Sequence, residues 1–302
     1  MNKKTILLKF SGYSAAFMAL LLLSACWFAQ DLTSDSEQKP DPAATATVPE
    51  KPAKQKSFVF EEPAAPPIEE PVSTQPNAVA THVKKRPQVA IIIDDMGYHQ
   101  KIGRGLLELD LNLSFAFLPH APFVPELDEI AYRKGRDILV HIPMEAQSKK
   151  WDPGPGALYL KTPPEKQLEI LTKDLAAIPH AIGANNHMGS KFTANRMAIH
   201  RVLAELKRQD LFFIDSFTSG KSKGFDEAQK MGLKTNRRQI FLDNIQNSKK
   251  ICHQLDKLIT KARKNGEAIA IGHPYQATLE AFRKCGDRLS AVEIVPVHEL
   301  VK

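Results

Sequence analysis

The strongest constraint in this sequence is a rhythm that begins at Gln88: short, uninterrupted apolar runs separated by amphipathic stretches. Val89-Ala90-Ile91-Ile92-Ile93 shows no polar alternation, as expected of a strand covered on both faces. Similar runs recur at residues 113–117, 138–140, 181–183, 211–214, 240–242, 268–271 and 292–295. Helical patterns lie between most of them. Residues 165–178 put Leu168, Leu171, Leu175 and Ile178 on one stripe. That stripe is opened by Thr162-Pro163-Pro164-Glu165, which reads as a capping box with proline in the first turn. Residues 194–209 read as a second helix with Thr193 as N-cap, and residues 248–265 as a third, closed by Gly266. Strand alternating with helix over residues 88–302 predicts an α/β fold, a (β/α) barrel of seven or eight units. An open doubly wound sheet is the competing architecture. No Gly-x-Gly-x-x-Gly follows the first strand, so a dinucleotide role has no support.

The residues before this region are of another kind. Lys3, Lys4 and Lys9 precede an apolar run ending Leu23-Ser24-Ala25-Cys26. A positive start and an apolar centre mark export. The ending resembles the lipobox of bacterial lipoproteins, although Trp27-Phe28-Ala29 lengthens the run toward an uncleaved membrane anchor. Residues 1–30 are therefore expected to be a lipoprotein-type signal or an anchor, with the remainder on the periplasmic side of the membrane. Residues 31–86 hold nine prolines and no glycine, with Phe58 and Phe60 as the aromatics. Such a stretch cannot bury enough surface to offset its ordering entropy, so a disordered, extended linker is expected. Residues 87–302 form the folded domain.

The net charge is +7, but three of the cations lie in the leader, and Lys84-Lys85-Arg86 is the one contiguous basic cluster beyond it. No nucleic-acid partner is expected.

Polar residues collect where the predicted strands end, which in a barrel is the rim that carries chemistry. The first strand runs into Asp94-Asp95-Met96-Gly97, the third into His141-Ile142-Pro143-Met144-Glu145, and the fourth into Asn185-Asn186-His187-Met188-Gly189-Ser190. The fifth gives Asp215-Ser216 and the seventh Gly272-His273-Pro274. Adjacent carboxylates behind an apolar run are costly unless a cation or donors compensate them. One reading has Asp95 capping a helix and Asp94 solvated; the other has one ligating a metal and its neighbour taking a proton. His141 and His187 are expected ligands, and His273 a general acid. Glu145, Asn186, Ser190 and Asp215 are expected around them, as outer support or substrate contacts. His120, His298 and Asp243 also lie near strand ends but lack a supporting neighbour, while His82, His180, His200 and His253 read as structural or solvated. A His/carboxylate set suits zinc or another divalent transition ion better than calcium.

These residues, in this order, resemble the divergent (YibQ-type) polysaccharide deacetylases, distant relatives of the NodB-homology carbohydrate esterases. The likeness spans roughly residues 88–300 and is carried by Ile-Ile-Ile-Asp94-Asp95-Met-Gly, Phe-Ala-Phe-Leu-Pro119, His141-Ile-Pro-Met-Glu145, Asn186-His187-Met-Gly-Ser190, Phe-Ile-Asp215-Ser216 and Ile-Gly-His273-Pro. It implies a NodB-like barrel, with Asp94 as general base, Asp95 and His141 as metal ligands, and His273 as general acid. Glu145 stands where the parent superfamily has the second His of a His-x-x-x-His element, and His187 is the residue available to replace it. The superfamily's Arg-Pro-Pro element is not evident. The resemblance implies hydrolysis of N-acetyl groups on a cell-envelope or secreted polysaccharide, with a divalent ion, zinc by chemistry, as cofactor. A catalytically degenerate barrel that binds glycan or an envelope protein without turnover is the alternative.

Cys252 and Cys285 fall in successive predicted helices of the domain. Two separate buried thiols stand ahead of a disulfide in this reading. A bridge, in an oxidising compartment, would stabilise by roughly 3–4 kcal/mol.

Overall fold

The computed structural model describes residues 86–302; the leader and the linker up to residue 85 lie outside the described residues. Five strand–helix units open the domain: β1 (Gln88–Met96) and α1 (Gln100–Leu107), β2 (Ser114–Phe117) and α2 (Val124–Arg133), β3 (Ile138–Met144) and α3 (Pro164–Ala176), β4 (Gly183–Met188) and α4 (Arg196–Arg208), β5 (Phe212–Asp215) and α5 (Gly224–Lys230). Then β6 (Thr235–Arg237) passes directly into β7 (Ile240–Phe241), followed by α6 (Ser248–Asn265), β8 (Glu267–Gly272), α7 (Gln276–Cys285) and a short β9 (Glu293–Ile294). Seven strands are thus followed by a helix.

All ladders are parallel, and the strand order is β6-β5-β4-β3-β2-β1-β8-β7. The two ends of that order are consecutive in the chain. Arg237 ends β6 and Ile240 begins β7, a span that even extended chain cannot stretch beyond about 11 Å. A flat eight-stranded sheet would hold its edges several times farther apart, so the sheet must curl until they meet. The result is a (β/α) barrel whose seam is crossed by covalent chain rather than by a ladder.

Strand alternation divides the core in two. Inward positions Ala90, Ile92, Leu139, Phe212, Ile214, Ile269 and Ile271 fill the barrel. Outward positions such as Ile91, Ile93, Phe115, Val140 and Phe213 pack beneath Leu107, Leu127, Leu171, Leu203, Leu255 and Leu279 of the helices. Each such large side chain contributes about 1.5–3 kcal/mol by leaving water. The C-terminal segment closes the barrel at the ends where strands begin. Val295, Val297 and Leu300 join the inner core, Val297 N–H donates to Ser114 Oγ, and Lys302 and Thr235 exchange backbone hydrogen bonds.

Several local expectations are corrected. The run at 292–295 is not a barrel strand: only Glu293–Ile294 pairs, off the main path, with the first residues of β1. The polar β6, Thr-Asn-Arg, takes a place in the sheet that hydrophobicity did not mark. Helix α3 has no capping box, because Pro163 occupies its N-cap and no side chain caps it. Its buried face is Gln167, Leu171, Asp174 and Leu175, while Leu168 is 47% exposed. Helix α4 is capped by Asn195, which accepts from Ala198 N–H at 3.0 Å, whereas Thr193 Oγ1 donates to Gly189 O. Helix α6 matches its expected span, with Asn247 as N-cap and Gly266 at φ 87° as terminator. Cys252 and Cys285 are joined in a disulfide with Cα atoms 6.0 Å apart, not held as separate thiols. Among the described residues, no helix is long and apolar enough to cross a membrane.

Candidate metal centre at the barrel mouth

Adjacent residues of a regular strand point to opposite faces, so Asp94 and Asp95 could not both serve one cavity without a distortion. The distortion is present. In the β1–β2 ladder Ile93 pairs with Phe115 and Met96 with Phe117, so β1 holds one residue more than its partner. Asp95 sits in this bulge at φ 53°, in the left-handed region that Asp enters more readily than most side chains. Met188 after the ligand run of β4 and Phe217 after β5 share that conformation (φ 51° and 49°), which concentrates backbone strain on the rim.

The inward positions of β3 and β4 bring in the rest. His141 pairs in register with Asn185, and Pro143 with His187, so the two imidazoles stand on neighbouring strands one layer apart. Asn185 organises the group. Its Nδ2 donates to Asp94 Oδ1 at 2.7 Å, and its Oδ1 lies 2.7 Å from His141 Nδ1. The amide oxygen can only accept, so Nδ1 carries the proton and Nε2 keeps a lone pair. That Nε2 is 3.2 Å from Asp95 Oδ1, 3.7 Å from Asp94 Oδ2 and 3.2 Å from His187 Nδ1, while His187 Nδ1 is 2.9 Å from Asp95 Oδ1. Asp95, His141 and His187 each offer one ligand atom within 4.8 Å of the others, and all three are buried. Neither Asp95 oxygen has a hydrogen bond of proper alignment among the described residues, despite these short approaches. Burial pushes the Asp95 carboxyl up, but the charge of His187 above all, with its close Nδ1 and the more distant His273, outweighs it. The carboxyl is held well below its usual range, as an anion among nitrogen donors. Electron-pair donors crowded around one point, with an oxygen still unmatched, fit a divalent transition ion.

His273 follows β8 and is fixed by a residue that had seemed unsupported. Asp243, two residues after β7, accepts from His273 Nδ1 at 2.8 Å through Oδ1; through Oδ2 it accepts from His273 N–H at 2.6 Å and Thr278 Oγ1 at 2.7 Å. The β7–β8 pairing that creates this contact spans 30 residues of chain. Arg238, also outside the sequence-derived set, sits at the barrel seam. Its Nε and Nη2 donate to the carbonyls of Ser216 and Phe217, and its guanidinium lies 5.0 Å from the centre of the Phe241 ring. That ring packs 5.2 Å from His273.

The remaining expected residues serve the loops. Glu145 is turned toward Lys191, at 2.6 Å, and accepts Leu160 N–H at 2.8 Å, outside the three-ligand group. Burial raises its carboxyl, but the Lys191 contact and the Leu160 N–H bring it below the ordinary range. Asn186 bonds Met188 O and accepts Ser216 N–H, Ser190 Oγ accepts Gln147 N–H, and Asp215 holds Phe217 N–H, Ser222 Oγ and Phe225 N–H. Burial pushes the Asp215 carboxyl up against those bonds. His180 pairs with Asp128, and His200 with Glu227, away from the mouth.

Fold and site together define a parallel β/α barrel with a candidate metal centre where its strands end. Residues 91–301 match the family described as divergent polysaccharide deacetylase, and the chain belongs to that family. It is 36% identical over 197 residues to the uncharacterized protein YibQ of Escherichia coli (strain K12), covering 65% of this chain and 61% of the relative. A Haemophilus influenzae protein is 37% identical over 198 residues, covering 65% of this chain and 70% of its own. The crystal structure of an uncharacterized protein from Agrobacterium tumefaciens C58 superposes with a TM-score of 0.68 at 25% identity, covering 74% of this chain and 92% of that one.

Proposed function

We propose that this protein is a metal-dependent deacetylase of N-acetylated cell-envelope or secreted glycan, held by its leader on the periplasmic side of the membrane. The supporting observation is the buried Asp95–His141–His187 donor set, with an Asp95 oxygen unmatched by any aligned donor among the described residues. These three residues would hold the ion, and zinc suits one carboxylate with two imidazoles. When bound, a divalent ion supplies Lewis acidity toward an amide carbonyl and toward water. Asp94 is the base: Asn185 fixes its Oδ1, so the carboxylate is oriented before it takes a proton. His273 is the acid. Asp243 accepts from Nδ1, which makes Nε2 the atom that gives up a proton to the leaving amine and stabilises the imidazolium beforehand. The Cys252–Cys285 disulfide supports an oxidising, extracytoplasmic setting.

Zinc content and amine release from N-acetylated chito-oligosaccharides test the reading together. The wild type is expected to bind one equivalent of zinc, and Asp95→Ala and His141→Ala to lose both metal and amine release. A protein that takes no zinc under any loading condition overturns the enzyme reading and leaves a glycan-binding barrel.

A further inference from the structure

The longest helix of the domain carries a feature the proposed chemistry does not use. Helix α6 buries Ile251, Leu255, Leu258, Ile259 and Ala262 against the sheet. On another side, Lys250, Lys257, Lys261 and Lys264 fall within an arc of about 60° at 100° per residue, a stripe roughly 21 Å long. Spaced at helical intervals, they form no contiguous basic run in the sequence.

Two observations set this stripe apart from an ordinary solvated face. Several helix-borne cations elsewhere are paired within their own helix: Glu169 takes Lys166 and Lys173, Glu129 takes Arg133, Glu205 takes Arg208 and Glu280 takes Lys284, while those without a carboxylate among the described residues, such as Lys101, Lys230 and Arg283, stand singly rather than in a row. None of the four α6 lysines has a carboxylate partner among the described residues, and the helix's own Asp256 is engaged by Arg288. Lys257 and Lys261, at i,i+4, and Lys261 and Lys264, at i,i+3, repel one another and cost helix stability. The helix dipole favours cations in the last turn alone, so it does not account for Lys250 and Lys257. The second observation is where the chain enters. Gln88 N–H donates to the carbonyl of Gly266, the α6 terminator, so the first described residues, from Arg86, lie near the Lys264 end of the stripe. The chain therefore enters the described domain at this end of the stripe.

We propose that the outer face of α6 is a docking surface for anionic phospholipid headgroups. A row of ammonium groups without carboxylate partners along one helix matches a continuous, negatively charged plane, with each lysine near such a surface favouring association by roughly fivefold. The α6 stripe carries no exposed large apolar side chain. The contact is therefore electrostatic and peripheral. Docked this way, the barrel lies with its side to the bilayer and its mouth open along the surface.

The full-length protein, reconstituted through its leader into vesicles, provides the test. A water-soluble acylating reagent is applied and modification of each lysine is read by peptide mass spectrometry. In vesicles containing phosphatidylglycerol, the four α6 lysines are expected to react several-fold more slowly than in vesicles of phosphatidylcholine alone. Lys166 and Lys173 are expected not to change, and molar salt should abolish the difference. Equal reactivity on both kinds of vesicle overturns the proposal. Protection by dissolved polygalacturonate, without protection on anionic vesicles, also overturns it, in favour of an acidic polymer. Neither result bears on zinc binding, so the deacetylase reading stands or falls separately.

Discussion

Asp243 shows what one residue contributes to this site and why the sequence concealed it. The expected cluster at the strand ends, Asp94, Asp95, His141, His187 and His273, is legible because each residue lies within a few positions of the end of an apolar run. Asp243 follows one too, but its meaning depends on β7 lying beside β8, a neighbour relation that a linear pattern does not contain. Both of its oxygens accept, so Asp243→Asn loses the charge that supports the imidazolium and sets an NH2 either against His273 N–H and Thr278 Oγ1 or against His273 Nδ1–H. That substitution is expected to cost about 1–3 kcal/mol in stability. It is also expected to lower turnover by about 10²-fold or more while zinc content stays at the wild-type level. Loss of metal in Asp243→Asn would instead place Asp243 among the groups that build the metal centre. Asp174, outside the candidate metal centre, makes a separate prediction. It is fully buried on α3, with Oδ1 2.8 Å from His120 Nε2 and Oδ2 unsatisfied among the described residues. Burial pushes its carboxyl up to about 7 from 3.8, against the lowering effect of His120. The folded state therefore binds this proton more tightly than the unfolded chain, and the stabilisation it brings is complete below about pH 4 and lost as pH rises to about 7. Denaturant titrations across that range should show this decline in the wild type and its absence in Asp174→Asn, whose side chain cannot ionise. Parallel curves for the two proteins would show that Asp174 titrates normally.

Among the elements, the helices with strong boundary chemistry were readable and those with ambiguous chemistry were not. Helix α6 has Asn247 before it, Gly266 after it and 18 residues of apolar periodicity, and its span follows directly. Helix α3 misled because Thr162-Pro163-Pro164-Glu165 has the composition of a capping box, yet consecutive prolines impose extended backbone on what precedes them and carry the chain past Thr162 before the helix begins. The run at 292–295 misled for a different reason: apolar composition reports burial, and a plug inside the barrel is as buried as a strand within its wall. The disulfide belongs to this scale because it ties two helices. It links α6 to the end of α7 across a separation of 33 residues, and that loop length gives about 3–4 kcal/mol on the chain-entropy account. Replacing both Cys252 and Cys285 by Ala, or reducing the wild type, is expected to lower unfolding free energy by about that amount in denaturant titration. A reduced protein as stable as the oxidised one would show that packing between α6 and α7 already supplies the constraint.

For the whole molecule the decisive feature is closure, and closure is where the candidate metal centre and the fold meet. The sheet is continuous from β6 round to β7, but between those edges there are two residues of chain and no ladder. Barrels with a complete ladder resist splaying through hydrogen bonds; this one must resist it through its inner core, its C-terminal plug and whatever joins its strand ends. Asp95 comes from β1, His141 from β3 and His187 from β4, so an ion held by all three would clasp three strands on one arc of the mouth. Without the ion, the same arc buries a carboxylate whose oxygens meet no aligned donor among the described residues, which is a local cost to the fold. Binding to the folded state alone therefore adds stability by mass action, about 2.7 kcal/mol at a hundredfold excess of free zinc over its dissociation constant. Chelation is expected to lower the thermal midpoint of the wild type by several degrees and to restore it on zinc addition. In Asp95→Asn the neutral amide relieves the buried charge but removes an anionic ligand. The midpoint should then no longer respond to zinc, whether or not the variant is more stable than the metal-free wild type. A wild-type midpoint indifferent to both chelator and zinc would mean that Asp95, His141 and His187 meet to brace the strand ends among themselves, and that the barrel mouth holds no ion.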